Sequence, residues 1–310
     1  MTIAPLCAIG TRTWASLGKL GSNNGIIETG DGVVLVDVPH KPTDAVVLAE
    51  FIRDRGPVTW IVHTDHHIDH TLTNGFFPGT VVAHETTLRR LAEDMPSPAF
   101  VDQLLATLDP EGRPLMKRHP ERVPTVTFSE RLELDLGGAV IDLLALPGHT
   151  PNTIGVHLPE IGVLFSGDAV SGMGLPSFQE SSFRAWRSSI DVVLSLDVDT
   201  LVPGHGVVGD RRTAVRFRDQ IDELVNRVEA ARDAGMSIED AVEQIRFEDR
   251  IHVSTADYVG YPASMIEEFQ RRSIRSIYRE LEAASMGVLP FGQVAGSARG
   301  DHGCRQKGSV

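Results

Sequence analysis

Apolar and polar positions along the chain form two stretches of short β-branched runs, then one long helical stretch. In the first, GIIET and VVLVDV flank a Gly-Asp-Gly turn, which predicts a hairpin. TDAVVLAEFIRDRG carries apolar residues at helical spacing and stops at Gly56, and VTWIVHT returns to strand. TVVAHE reads as a strand and TTLRRLAEDM as a helix, while residues 109–124, rich in Pro, Arg and Glu, read as a connecting loop. The second stretch repeats this logic. TVTFSE, LELDL, AVIDLLALP, TIGVHLP and VLFSGDAV are strand candidates, SFRAWRSSIDVVLSL a helix and TLVPG a short strand. Two strand-rich halves with interspersed helices predict an α/β fold of sheets packed on each other and covered outside by helices. From about Thr213 to Ala284 the pattern is almost wholly helical, and the Gly-rich end predicts a disordered tail over 287–310.

Composition narrows the class. With 310 residues, 41% of them hydrophobic, the chain can bury one large core or two modest ones. A net charge of −13 with scattered arginines disfavours nucleic acid and acidic membrane surfaces. Cys7 and Cys304 lie near opposite ends, so neither a disulfide framework nor a thiolate metal site is indicated. No run approaches the roughly 20 apolar residues of a membrane span, and no signal-peptide pattern opens the chain. The expectation is a soluble, cytoplasmic protein.

Four segments place His or Asp directly after a strand candidate. They are Asp65, His67, Asp69 and His70 in VHTDHHIDHT; His149 in LPGHT; Asp168 in FSGDAV; and His205 in VPGHG. Loops at strand ends can converge side chains on one point, and imidazole with carboxylate suits transition metals. For the first cluster alone a solvated histidine surface competes with this reading. The matching contexts of the other three segments weigh against it.

The sequence here resembles the metallo-β-lactamase superfamily. That family's hallmark is His-x-His-x-Asp-His after a strand, then Gly-His, Gly-Asp and Pro-Gly-His, and the resemblance runs from about Asn24 to Gly206. It implies a four-layer αββα sandwich over residues 1–212, with residues 213–286 as a helical extension packing on the same domain. It further implies two metal sites at one edge between the sheets: Asp65, His67 and His149 in one, Asp69, His70 and His205 in the other, and Asp168 bridging. One departure stands out, since the first His of the hallmark is Asp65 here. Asp65 either binds directly or stands behind the ligands, leaving a single ion or bringing in His66. Otherwise His63 and His66 fall outside the set. Two divalent ions are implied, zinc first, while the extra carboxylate shifts preference toward manganese or iron. Asp69 would also orient the attacking water and shuttle its proton, and Asp37 sits where the family often has an aspartate steadying the histidines.

The expected activity is hydrolysis of a small-molecule ester, lactone, thioester or amide by a hydroxide held between the ions. A mono-iron sulfur dioxygenase of the same fold, and a non-catalytic binding protein with a degraded metal site, are the alternatives. Phe178, Phe183, Arg184 and Trp186 are candidates to wall a substrate pocket, against a bland reading as core and rim. Tyr258, Tyr261 and the arginines Arg271, Arg272 and Arg275 could cap the site, against a solvated face. His84, His119, His157 and His252 stand alone and read as structural. The helical C-terminal region could pair two copies in a homodimer.

Overall fold

The computed structural model describes residues 6–18, 20–173, 177–178, 180–246 and 263–287. His252, Tyr258, Tyr261 and the tail from residue 288 onward lie outside these.

Seven strands form the first sheet in chain order: β1 (Leu6–Gly10), β2 (Thr13–Ser16), β3 (Asn24–Thr29), β4 (Gly32–Val36), β5 (Val58–His63), β6 (Thr80–His84) and β7 (Val126–Phe128). β1 to β4 pair antiparallel through short connections. β4 to β7 pair parallel, which requires crossovers. These carry α1 (Pro42–Ile52), α2 (Ile68–Thr71), α3 (Glu85–Asp94) and α4 (Pro98–Leu108). The second sheet comprises β8 (Arg131–Asp135), β9 (Val140–Ala145), β10 (Ile154–Leu158), β11 (Val163–Gly167) and β12 (Thr200–Pro203), ordered β12-β11-β10-β9-β8. Only its β11/β12 pair is parallel, and α5 (Phe183–Ser195) makes that crossover. Three helices follow, α6 (Arg211–Asp233), α7 (Ile238–Gln244) and α8 (Ala263–Ser285).

Strand periodicity explains why the layers number four. On β4, Val34 and Val36 face one way and Val33 and Leu35 the other, because successive side chains alternate across a sheet. Val34 and Val36 join Ile27, Val62, Ile141, Leu143, Val156 and Phe165 in a core between the sheets. Val33 and Leu35 meet Ala45, Leu48 and Ile52 of α1 on the outer face. The second sheet does the same. Phe165 and Val202 point inward, while Leu164 and Leu201 join α5 to α8 in the outermost core through Trp186, Phe217, Ile221, Ile277 and Leu281. Both sheets are therefore buried on both faces, and the continuous β-branched runs follow from that. The architecture is a four-layer αββα sandwich with a C-terminal helical extension, and the helices after residue 212 share a core with the second sheet.

Two local differences from the sequence pattern have physical causes. The segment read as a loop over 109–124 contains a 3₁₀ helix, Arg113–Arg118, fastened to α4 by the Arg113–Asp102 ion pair. β1 and β2 carry too few alternating residues to stand out, and they gain definition by pairing, β1 with β2 and β2 with β3.

Candidate metal centre

Each polar cluster sits where a strand ends. β5 ends at His63, and the next turn is closed by Asp65, whose Oδ1 accepts from the His67 backbone N–H at 2.8 Å. That turn leads into α2, which carries Asp69 and His70. The loop after β9 supplies His149, the end of β11 supplies Asp168 and the end of β12 supplies His205. Two glycines let these loops close. Gly167 is left-handed, with φ +49°, and a Cβ on Gly204 would fall 1.9 Å from Asp168 Oδ1.

The result is two adjoining groups of ligand-capable atoms. Asp65, His67, His149 and Asp168 form one, and Asp69, His70 and His205 the other, each with its candidate atoms within 4.8 Å of one another. Asp168 faces both. Its Oδ2 lies 3.2 Å from His149 Nε2, and its Oδ1 lies 3.4 Å from His205 Nε2 and 3.6 Å from His70 Nε2. Asp65 Oδ2 is 3.3 Å from His67 Nδ1 and 3.9 Å from His149 Nε2. Asp69 Oδ2 is 3.4 Å from His205 Nε2. All seven residues expected from the sequence thus converge, with Asp65 inside the first group.

Behind these atoms, backbone and carboxylate acceptors orient the rings. His70 Nδ1 donates to Asp37 Oδ2 at 2.9 Å, His149 Nδ1 to the Ser177 carbonyl at 3.0 Å and His205 Nδ1 to the Gly21 carbonyl at 3.1 Å. A neutral imidazole that donates through Nδ1 keeps its lone pair on Nε2, which here points inward. Asp37 is itself held in the left-handed region, at φ 54°, and also accepts from the Thr64 N–H at 2.8 Å and the Thr64 hydroxyl at 2.6 Å.

Three inward atoms, Asp65 Oδ2, His70 Nε2 and Asp168 Oδ1, are buried with no hydrogen-bond partner. Buried polar atoms are normally satisfied, and leaving one unpaired costs about 1–3 kcal/mol. Three orphans converging from two strand-end segments, one after β5 and one after β11, are the signature of a donor set shaped for cations, so the residues fit divalent ions. The electrostatics agree. Burial opposes charge on Asp168, but His205, His149 and His70 prevail and hold it well below the usual carboxylate range. Burial likewise opposes protonation of His67 and His205, yet Asp65 lifts the first to about 9 and Asp168 the second to about 9. Burial pushes His149 down. Access is from the side of His67, Asp69 and His205, whose side chains are 22%, 23% and 17% exposed.

A family model described as the metallo-beta-lactamase superfamily matches residues 17–205, from the loop before β3 through His205. The chain belongs to this superfamily. Among relatives of this metallo-beta-lactamase superfamily chain is a linear primary-alkylsulfatase of Pseudomonas sp., 24% identical over 300 residues, covering 82% of this chain and 54% of the relative. A hydroxyacylglutathione hydrolase of Erythrobacter litoralis is 30% identical over 98 residues, 31% of this chain and 39% of the relative. A solved stereoselective inverting sec-alkylsulfatase from Pseudomonas sp. superposes with TM-score 0.66 at 16% identity, over 94% of this chain and 51% of that one. The chain thus spans about half the length of the alkylsulfatases it matches, and the structural likeness speaks for fold.

Other expected positions resolve differently. His63 is fully buried at the end of β5, 2.9 Å from Asn74 Nδ2. His66 turns away toward Asn152 Oδ1 at 3.1 Å. Phe178 and Trp186, weighed between pocket wall and core, are each 1% exposed and belong to the outermost core. Trp186 donates to the Ala169 carbonyl at 2.8 Å and lies under His149 with ring centroids 5.5 Å apart. Arg184 pairs with Glu280 of α8 at 3.2 Å, and Phe183 is likewise buried in that core. These residues support the site from below instead of lining it. His84 caps α3, His119 stacks on Phe76 at 4.2 Å, and His157 is buried on β10. On α8, Arg271 pairs with Glu243 and Glu267, and Arg272 with Glu268.

Residues 21–23 escaped the sequence reading. Gly21 backs His205, the Ser22 hydroxyl donates to the Asp69 carbonyl at 2.8 Å, and Asn23 Nδ2 donates to the carbonyls of Pro203 at 2.8 Å and Gly206 at 2.9 Å. The only available signal was a small polar run before a strand.

Proposed function

We propose that the chain is a binuclear metal-dependent hydrolase of a small-molecule ester, in which Asp65, His67 and His149 hold one divalent ion, Asp69, His70 and His205 a second, and Asp168 bridges. The three orphaned inward atoms carry this reading. Two such ions, zinc first among the candidates, supply Lewis acidity and bring the pKa of water from 15.7 toward about 7. The chain's own contribution is arrangement. Burial opposes ionisation of Asp69, but His70, His205 and His40 keep it in the charged form, so this partly open carboxylate can take a proton from attacking water and return it to the leaving oxygen. Asp37, Ser177 and Gly21 fix the ring orientations on which that arrangement depends.

For the scissile bond, the match to a hydroxyacylglutathione hydrolase supports a carboxylic ester or thioester. A sulfuric ester is the second reading, favoured because the alkylsulfatase match extends over 82% of this chain, beyond the 17–205 core. Metal analysis after purification, paired with turnover of 4-nitrophenyl acetate and of an alkyl sulfate, tests both. About two ions per chain and hydrolysis of either ester are expected. A folded chain that holds no transition metal after supplementation would instead be a binding protein.

Ion uptake should depend on pH. His67 and His205 are held protonated up to about pH 9 by their carboxylate neighbours, whereas a ligand nitrogen must be deprotonated. Affinity should therefore rise between pH 7 and 9, by up to about tenfold per pH unit for each proton displaced. Chelator competition across that range measures the slope, and a flat profile would remove these imidazoles from the ligand set.

A further inference from the structure

The two groups of ligands are held by different parts of the chain. His70 and His205 are backed by Asp37 and Gly21, which follow β4 and β2 in the chain. His149 is backed from the other direction. Its Nδ1 donates to the Ser177 carbonyl, and its own carbonyl accepts from the Ser181 hydroxyl at 2.8 Å. The Ser182 N–H donates to the Gly148 carbonyl at 3.0 Å. Ser177, Phe178 and Ser181 to Phe183 thus form the cradle of His149.

That cradle is gripped by α8. Ser273 Oγ accepts from the Phe178 N–H at 3.1 Å. Glu280 accepts from the Ser182 hydroxyl at 2.8 Å and from the Phe183 N–H at 2.9 Å, so that one carboxylate closes the N-terminus of α5. Arg184 adds its ion pair to the same carboxylate. Glu280 is largely buried, with a side chain 10% exposed, and its charge is matched on three sides. A buried carboxylate with three donors is a rigid support, because each lost bond would leave an unpaired donor.

We propose that Glu280 and Ser273 of α8 are positioning residues for His149, so that the C-terminal helix sets the affinity of the first ion position and leaves the second untouched. This inference rests on the two-ion reading of the site. Partners one bond behind a ligand typically change metal affinity by about 10–100-fold, and here the effect should fall on one ion of the two.

The test is stepwise metal titration of the full chain against a chromophoric chelator, using zinc and then cobalt, for wild type, Glu280→Gln, Ser273→Ala and Arg271→Ala. Glu280→Gln keeps the shape and loses the charge. Ser273→Ala is the milder change should the first variant fold poorly. Arg271→Ala breaks ion pairs on α8 that do not reach the cradle. Glu280→Gln and Ser273→Ala should weaken one of the two binding steps by at least about tenfold and leave the other unchanged, with Arg271→Ala like wild type. Equal weakening of both steps, or no weakening of either, would overturn the inference, since general loss of stability moves both steps alike. A wild-type chain that binds fewer than two ions would overturn the two-ion reading and this inference with it.

Discussion

Replacing Asp168 by alanine is expected to lower turnover at least about a thousandfold, equivalent to about 4 kcal/mol of transition-state stabilisation, and to take both ions with it. The reason is its placement. One carboxylate oxygen faces His149 and the other faces His205 and His70, so its loss takes a ligand atom from each group. The loss should show in metal content before any assay is run. Asp168→Asn makes the sharper comparison, because one oxygen survives and an amide nitrogen, which cannot ligate, replaces the other. It should retain close to one ion. An alanine variant that still carries two ions would remove Asp168 from the bridge.

Asp37→Ala should be the most damaging change to the fold itself. Three buried donors converge on this one carboxylate: the Thr64 N–H, the Thr64 hydroxyl and His70 Nδ1. Orphaning them costs about 1–3 kcal/mol each before relaxation, and removing one partner of a buried charged pair about 3–5 kcal/mol. A loss of about 3–5 kcal/mol in the metal-free protein is therefore expected from urea unfolding. Backbone conformation adds to it, since φ is 54° at this position and Asp or Asn tolerates the left-handed region better than Ala. Asp37→Asn should be milder for that reason. With Asp37 gone, His70 Nδ1 keeps only the Thr64 hydroxyl at 3.1 Å, and ion affinity at the second group should fall about 10–100-fold. A destabilisation under about 1 kcal/mol would show that Thr64 and His70 find other partners.

How much of this was visible in the chain alone depends on which atoms do the work. Side chains that act through their own chemistry were legible: Asp65, His67, Asp69, His70, His149, Asp168 and His205 each follow a strand candidate, and they converge as that pattern implied. The two layers of strands were legible for the same reason, because burial on both faces leaves unbroken apolar runs such as VVLVDV. What acts through the backbone was not. The carbonyls of Gly21 and Ser177 orient His205 and His149, and a carbonyl is common to every residue. Phe178 and Trp186 stayed open between two readings for a different reason: an apolar residue near a site looks alike from sequence whether it faces a cavity or the layer beneath. Glu280 showed only as one acid on an amphipathic helix, because its role depends on where α8 crosses α5.

The convergence of loops from both sheets has a consequence for the molecule as a whole. Asp65 to His70 hang from the seven-stranded sheet, while His149, Asp168 and His205 hang from the five-stranded one. On the two-ion reading, cation uptake and the docking of the two half-sandwiches would be linked equilibria, and a gain in affinity would resist their separation. A chelator should then loosen the central seam of the protein, which chemical unfolding with and without chelator would measure.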